Sequence, residues 1–363
     1  MKILYFAPIP FDRLKQRPQY LAEGLAKEHE LIYVEPTVSI MKYLMRGGET
    51  PGARQRCISE TLCVMRLDGR RTAHRSMEAI LPLLCVSERR QIRPLLQWAD
   101  LVWIGYSPWY SIIRQYQGKL VFDKMDDDQK ITYNPLLKKL ITRTEPELIE
   151  RADMVIVTAQ RFYDEIKPIK EQTYLVRNAT DIEQERKEQP ALKKEPDTCV
   201  FGYIGLISHW FDMDAVSAIL DADEKNRVIL VGPTEISKYE HPRLKYVGMV
   251  PKEEISGWIE SFDVCLYPFK QSDFLDTINP VKVYEYLAHG KPVLAANSVE
   301  IRTCPANIER YETEEDLCRI LKSKKEGGWT VPFQTEQEKR VFIRANNWNA
   351  RTTQIISLLE KMA

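Results

Sequence analysis

The sequence predicts an α/β chain of two doubly wound domains, and three observations carry that prediction. Its 363 residues, 44% of them hydrophobic, suffice for two cores of ordinary size. Short continuous apolar runs, the pattern of parallel strands buried on both faces, alternate with amphipathic segments in two separate series. Between the series, residues 182–198 are charged, hold two prolines and lack apolar periodicity, as a linker does. The expected domains are 1–181 and 199–346, with an amphipathic terminal helix over 347–363.

The first series opens on a strand at 3–7. The turn after it lacks the GxGxxG of dinucleotide enzymes, so no nicotinamide or flavin cofactor is expected. It carries Asp12, Arg13, Lys15, Gln16, Arg17 and Gln19 instead, polar groups suited to gripping a sugar or a phosphate. A solvated loop, with Pro18 as first helical residue, is the plainer account. Leu21, Leu25 and Ala26 share a helix face, and 31–36 returns as a strand. Residues 41–97 set basic side chains, among them Arg46, Arg54, Arg56, Arg70, Arg71 and Arg89, beside Met, Leu and Tyr. That composition fits an interfacial helix on an anionic lipid surface, or a solvated helix face. The strand at 120–123 runs into Asp126, Asp127 and Asp128, at the edge where open α/β sheets bind ligands. These carboxylates suit a general base toward an acceptor hydroxyl, or hydrogen bonds to sugar hydroxyls, with Asp12 as a further candidate base. No paired histidine accompanies them, and no metal is expected. A strand at 152–159 and a turn at 174–181 end the series.

The second series begins with a strand ending near Gly205. The polar turn at Ser208, His209 and Trp210, before a helix starting near Asp212, permits close approach to a phosphate, toward which His209 could donate. The strand at 228–231 ends in Gly232 and Pro233, and the segment at 242–251 includes Val250. The strand at 262–269 delivers the chain into residues 276–294. There Asn279 and Pro280 open a helix, Val281, Tyr284 and Leu287 recur at helical spacing, and Gly290 stops it. A helix N-terminus offers unpaired N–H groups and a partial positive charge to an anion, and Lys282 adds a cation in the first turn. Glu285 lies about 4–5 Å further along the axis, where its carboxylate could accept from both hydroxyls of a ribose. Phosphate and ribose together indicate a nucleotide. An ordinary amphipathic helix with an exposed glutamate is the alternative.

Composition narrows the partners. Fifty-two basic and 52 acidic residues balance, so nothing in the total argues for nucleic acid. The seven cysteines are odd in number and contain no CxxC pair, which predicts free thiols in a reducing compartment rather than disulfides or zinc. The apolar run at the N-terminus is shorter than a signal core or a membrane span. A cytoplasmic location is expected, with peripheral contact to the inner membrane face left open.

The stretch at 276–294 resembles the nucleotide-sugar signature of GT-B glycosyltransferases, in which a glutamate on a short helix holds the donor ribose. The opening QRPQYLAEGLA at 16–26 and the VEP at 34–36 are similar to family-4-like bacterial glycosyltransferases of teichuronic acid and cell-surface polysaccharide synthesis. The resemblance implies two Rossmann-like domains facing across a cleft. It implies donor binding by Glu285, Lys282, Asn279, Thr277, Gly205, Ser208, His209, Gly232, Val250 and Tyr284, and acceptor or phosphate contact by Arg17 and Gln16. The reaction it implies moves a sugar from a nucleotide diphosphate sugar to a saccharide or lipid-linked saccharide, with no cofactor and no essential metal. Thr277 stands where many retaining members carry a second glutamate, and the 208–210 turn lacks their usual arginine and lysine. A GT-B nucleotide-sugar epimerase and a catalytically degenerate nucleotide-sugar-binding scaffold are the other readings.

Overall fold

The computed structural model describes residues 1–12, 15–39, 44–45, 54–69, 85–182 and 197–362. They form two compact units, one of Met1–Arg177 with Arg351–Ala363 and one of Asn178–Ala350. Most of the expected linker lies outside the described residues, as do Arg13, Arg46, Arg70 and Arg71.

In the first unit β1 (Lys2–Phe6), β2 (Glu30–Ser39), β3 (Gln55–Cys57), β4 (Leu62–Gly69), β5 (Leu101–Ile104), β6 (Lys119–Lys124), β7 (Met154–Val157) and β8 (Thr173–Leu175) form one sheet of order 3-4-2-1-5-6-7-8. Only β3 against β4 is antiparallel. Setting β3 aside, the order is that of a Rossmann sheet with one strand added, and it reverses between β1 and β5. A parallel sheet covered on both faces needs strands apolar throughout; Ile3 to Phe6 and every residue of β5 and β7 are accordingly buried. Tyr5 stacks between Tyr33 and Trp103 on neighbouring strands, at 5.6 Å from each ring.

The edge hairpin corrects two expectations. Cys57 and Cys63 lie directly opposite each other on β3 and β4 and form a disulfide, so two of the seven cysteines are not free thiols. Spacing hides this, because only antiparallel pairing brings the two together. Residues 54–69, expected within a basic interfacial stretch, are instead strand and turn, and Arg56 is committed to Asp12 (2.7 Å) and Glu35 (2.9 Å). The later part of that stretch is the helix Val86–Trp98, against whose Gln91 Arg54 is hydrogen-bonded.

In the second unit β9 (Cys199–Ile204), β10 (Asn226–Val231), β11 (Leu244–Gly248), β12 (Val264–Tyr267), β13 (Val293–Ala296) and β14 (Glu309–Tyr311) are all parallel, in the order 11-10-9-12-13-14. This is again the Rossmann order, reversing between β9 and β12, where doubly wound sheets open a crevice at the strands' carboxyl ends. From Arg351 onward the last helix, Trp348–Met362, belongs to the first unit. Gln354 Nε2 donates to Leu175 O at 3.2 Å, Lys119 Nζ donates to Met362 O at 3.1 Å, and Thr352 packs on Gly24, where any side chain would collide with it.

Candidate functional site

The carboxyl edge of the second sheet is built from short turns at its reversal point. Gly205, after β9, donates its N–H to Val231 O, and Gly232, after β10, donates to Gly248 O at 2.8 Å. Gly232 has φ +137, and a Cβ there would collide with the Gly205 carbonyl, so only glycine lets these two turns close on each other. The loops after β9 and β12 are stitched together: Asp212 N donates to Pro268 O and Lys270 N to Trp210 O, both at 2.8 Å. Within the β9 loop Ser208 is buried and donates to Glu235 (2.8 Å), while His209 is exposed with its ring against Trp210. Asp212 caps the helix Met213–Ala222 by accepting from Asp214 N and Ala215 N.

The β12 loop leads into the helix Val281–Ala288, whose first turn carries no side-chain cap. Val283 N donates to Pro280 O at 3.1 Å, and the N–H groups of Val281 and Lys282, without a partner among the described residues, are open to an anion. Lys282 Nζ lies 2.9 Å from Glu285 Oε2, so the two side chains assigned separately to phosphate and ribose are brought into one ion pair. Glu285 Oε1 has no partner among the described residues. Glu285 also lines a small cavity of about 30 Å³ with Asp181, Lys252, Ser256 and His289. Two carboxylates beside that cavity, Asp181 and Glu260, are held by neighbouring side chains. Lys252 holds Asp181 at 2.7 Å, and His289 Nδ1 lies 2.6 Å from Glu260, which Lys291 approaches at 3.2 Å. The His289 hydrogen bond is the main reason that the Glu260 carboxyl sits below its ordinary pKa.

The first unit presents a charged cluster beyond β6. Asp123 is fully buried and paired with Arg17 (2.9 Å), and Lys124 is paired with Glu145 (2.8 Å). Asp126 is exposed, and partial loss of water around its carboxyl still raises its pKa against the opposing charges of Lys124 and Arg17. Asp128 is raised further, by the same dehydration and by the neighbouring Asp126 charge. Asp127 instead caps the short helix Asp128–Ile131 by accepting from Lys130 N, and its other oxygen pairs with Lys130 Nζ at 3.3 Å. It is a capping residue.

No protein-family model matches the chain. Among solved structures, Anabaena HepE in complex with UDP and glucose aligns with a TM-score of 0.62 at 14% identity, over 99% of this chain and 100% of that one. The E. coli trehalose-6-phosphate structure bound with UDP-2-fluoro glucose aligns at 0.68 and 10% identity, with both chains covered in full. The fold is GT-B. Among curated proteins, TuaH of Bacillus subtilis (strain 168), assigned as a teichuronic acid biosynthesis glycosyltransferase, is 25% identical over 236 residues, 60% of this chain. The matched segment spans 59% of that relative's length.

In this GT-B chain several residues expected at the donor or acceptor are occupied internally. Arg17 is buried, and besides Asp123 its guanidinium donates to Val176 O and Arg177 O, which withdraws it from a phosphate. Gln16 is the exposed N-cap of the helix Arg17–Leu25, its N–H bonded to the Gln19 side chain. Asn279 is buried, accepts from Asn178 N and donates to Glu300 and to the Tyr284 hydroxyl. Tyr284 stacks on Phe342 in the core. Thr277 is buried with its hydroxyl donated to Phe274 O, and the adjacent Asp276 accepts from Val299 N. Asp12 is exposed and held by Arg56. Glu285, Lys282, Gly205, Gly232, His209 and the half-buried Val250 remain at or near the GT-B sheet's carboxyl edge. His289 and Lys252 were not picked out from sequence, whereas Asp128 was named only as one of three neighbouring carboxylates. A histidine one turn past Glu285 was the available signal for the first.

Proposed function

We propose that the chain is a glycosyltransferase that moves a sugar from a nucleotide diphosphate sugar to a hydroxyl acceptor in bacterial cell-surface polysaccharide synthesis. The observation that carries this reading is the uncapped start of the helix Val281–Ala288, bearing Lys282 and Glu285, at the reversal point of a Rossmann sheet in a GT-B fold. HepE holds UDP and glucose, and the E. coli structure holds UDP-2-fluoro glucose, which favours uridine as the base here.

On this reading the diphosphate lies against the opening N–H groups of that helix, and Lys282 swings from Glu285 to meet its charge. Glu285 then has both oxygens for the ribose hydroxyls. The acceptor oxygen attacks the anomeric carbon, the bond from that carbon to the diphosphate breaks, and its electron pair leaves with UDP. The acceptor proton passes to a carboxylate. Asp126 is the candidate, because a raised pKa makes it a better base near neutrality than an ordinary aspartate. Positive charge at the leaving group comes from Lys282 and backbone N–H groups, so the scheme assigns no step to a resident metal or cofactor. The acceptor would be a saccharide or a lipid-linked saccharide, met at the inner face of the membrane.

The test is a calorimetric titration of UDP, GDP, dTDP, CMP and ADP against the wild type and Glu285→Ala. We expect saturable UDP binding, weakened at least about tenfold in the variant, or about 1.4 kcal/mol. Failure of every nucleotide to bind, or equal affinity in the variant, would overturn the assignment.

A further inference from the structure

We propose that the amino-terminal half of the helix Pro135–Arg151, with the loop that enters it, docks the chain on an anionic bilayer. The proposal deepens the transferase reading, since such a surface would bring the enzyme to a lipid-linked acceptor. Leu140, Ile141, Thr144, Leu148 and Ile149 are the buried side of this helix. At 3.6 residues per turn the opposite side carries Lys138, Lys139, Thr142 and Arg143, all exposed. The three cations lie within about 7.5 Å along the axis at 1.5 Å per residue.

Their charge is uncompensated. Among the described residues none of the three has an ion-pair partner. Of the nearby acids, Glu145 is held by Lys124 (2.8 Å), Glu147 by Arg114 (2.7 Å) and Asp127 by Lys130 (3.3 Å), while Asp126 and Asp128, whose carboxyl pKa values are raised, lie before the loop. In a chain of zero formal net charge this is a local excess. Directly before the helix, Tyr133 is 76% and Ile131 38% exposed. Asn134 then caps the helix by accepting from Leu136 N and Leu137 N, which fixes the loop to the cationic face.

An anionic polymer would be satisfied by the cations alone. Exposed apolar surface beside them, ending in a tyrosine hydroxyl, is the chemistry of the headgroup boundary, where an aromatic ring inserts and its polar tip stays wet. Asp126 and Asp128 precede this loop by only a few residues. Docking would therefore hold the candidate proton acceptor close to a hydroxyl carried on a lipid.

The experiment is flotation of the full chain with vesicles of phosphatidylcholine alone or mixed with phosphatidylglycerol, at low and high salt. The proteins compared are the wild type, Lys138→Gln/Lys139→Gln/Arg143→Gln, the charge-keeping Lys138→Arg/Lys139→Arg/Arg143→Lys, and Tyr133→Ser. We expect the wild type to float only with anionic vesicles, and less at high salt. Each cation contributes about fivefold, so the triple glutamine variant loses about a hundredfold in partitioning. The charge-keeping variant floats as the wild type does, and Tyr133→Ser floats less. A UDP titration of every protein reads the second unit separately. Lost flotation with unchanged UDP affinity isolates the docking surface, whereas a wild type that floats without binding any nucleotide fails the transferase reading alone. Wild type that stays unbound by anionic vesicles, or a triple glutamine variant that floats equally well, overturns the proposal.

Discussion

At the scale of single residues, the decisive distinction is between side chains already satisfied by the protein and those with capacity left. Arg17 and Asp123 form a nearly dry pair with side-chain exposures of 4% and 0%. Removing one partner of such a pair strands a buried charge, at a cost of about 3–5 kcal/mol. Asp123→Ala should therefore lower the stability of the first unit by that order in a urea titration, while UDP affinity stays unchanged. Lys282 and Glu285 are the contrary case, a part-exposed pair with one carboxylate oxygen unengaged. Exposed pairs of this kind add little stability, about 0–1 kcal/mol, so Glu285→Ala should leave the melting temperature nearly unmoved while weakening the nucleotide. Asp128 carries a pH prediction. Its folded pKa is raised well above 3.8 by dehydration, so its ionisation favours the unfolded chain. The penalty is absent below the unfolded pKa and grows as pH rises through the folded one. Asp128→Asn should raise thermal stability at pH 7, and the gain should vanish near pH 3; a gain constant across that range would refute the assignment.

At the scale of elements, turns and caps decide whether the donor edge exists. Gly232 sits at φ +137 with the Gly205 carbonyl against it, so Gly232→Ala combines a strained backbone with a collision. The cost is about 1–3 kcal/mol, and the two turns must separate. UDP affinity should fall with stability, measurable in the same calorimetric and thermal series. Asp212 has an ordinary capping role, and Asp212→Ala should cost about 1 kcal/mol. These features differ in how legible they are. The glycines after β9 and β10, and the helix start near Asp212, can be read from residue type and spacing, because glycine and aspartate have few other reasons to stand there. The inward turn of Asn279, Tyr284 and Thr277 cannot. For Asn279 and Tyr284 the partners Asn178, Glu300 and Phe342 become neighbours only on folding, and Thr277 turns to the Phe274 carbonyl within its own turn.

At the scale of the molecule, two Rossmann sheets reverse order between β1 and β5 and between β9 and β12. Each offers its own carboxyl edge, one bearing carboxylates and the other glycine turns and an uncapped helix. If the second edge is the nucleotide site, saturating UDP at about 100 times its Kd stabilises that unit by about 2.7 kcal/mol. Hydrogen exchange should then slow first in the loops at 205–212 and 276–285; uniform slowing over both units would contradict a donor site seated in the second.

Periodicity, glycine placement and the order of apolar runs determined the α/β class, the two series of strands and the position of the Glu285 helix, because those signals are local along the chain. Tertiary structure decided which polar side chains are spent on one another. It paired Arg17 with Asp123 and Lys282 with Glu285, joined Cys57 to Cys63 across a hairpin, made Asp127 a cap and raised the carboxyl pKa of Asp126 and of Asp128. The physical reason is that burial and long-range pairing depend on groups far apart in the chain, 106 residues for Arg17 and Asp123 and 243 for Lys119 and the Met362 carbonyl, whose meeting no local pattern encodes; Lys282 and Glu285, one helical turn apart, are the local exception.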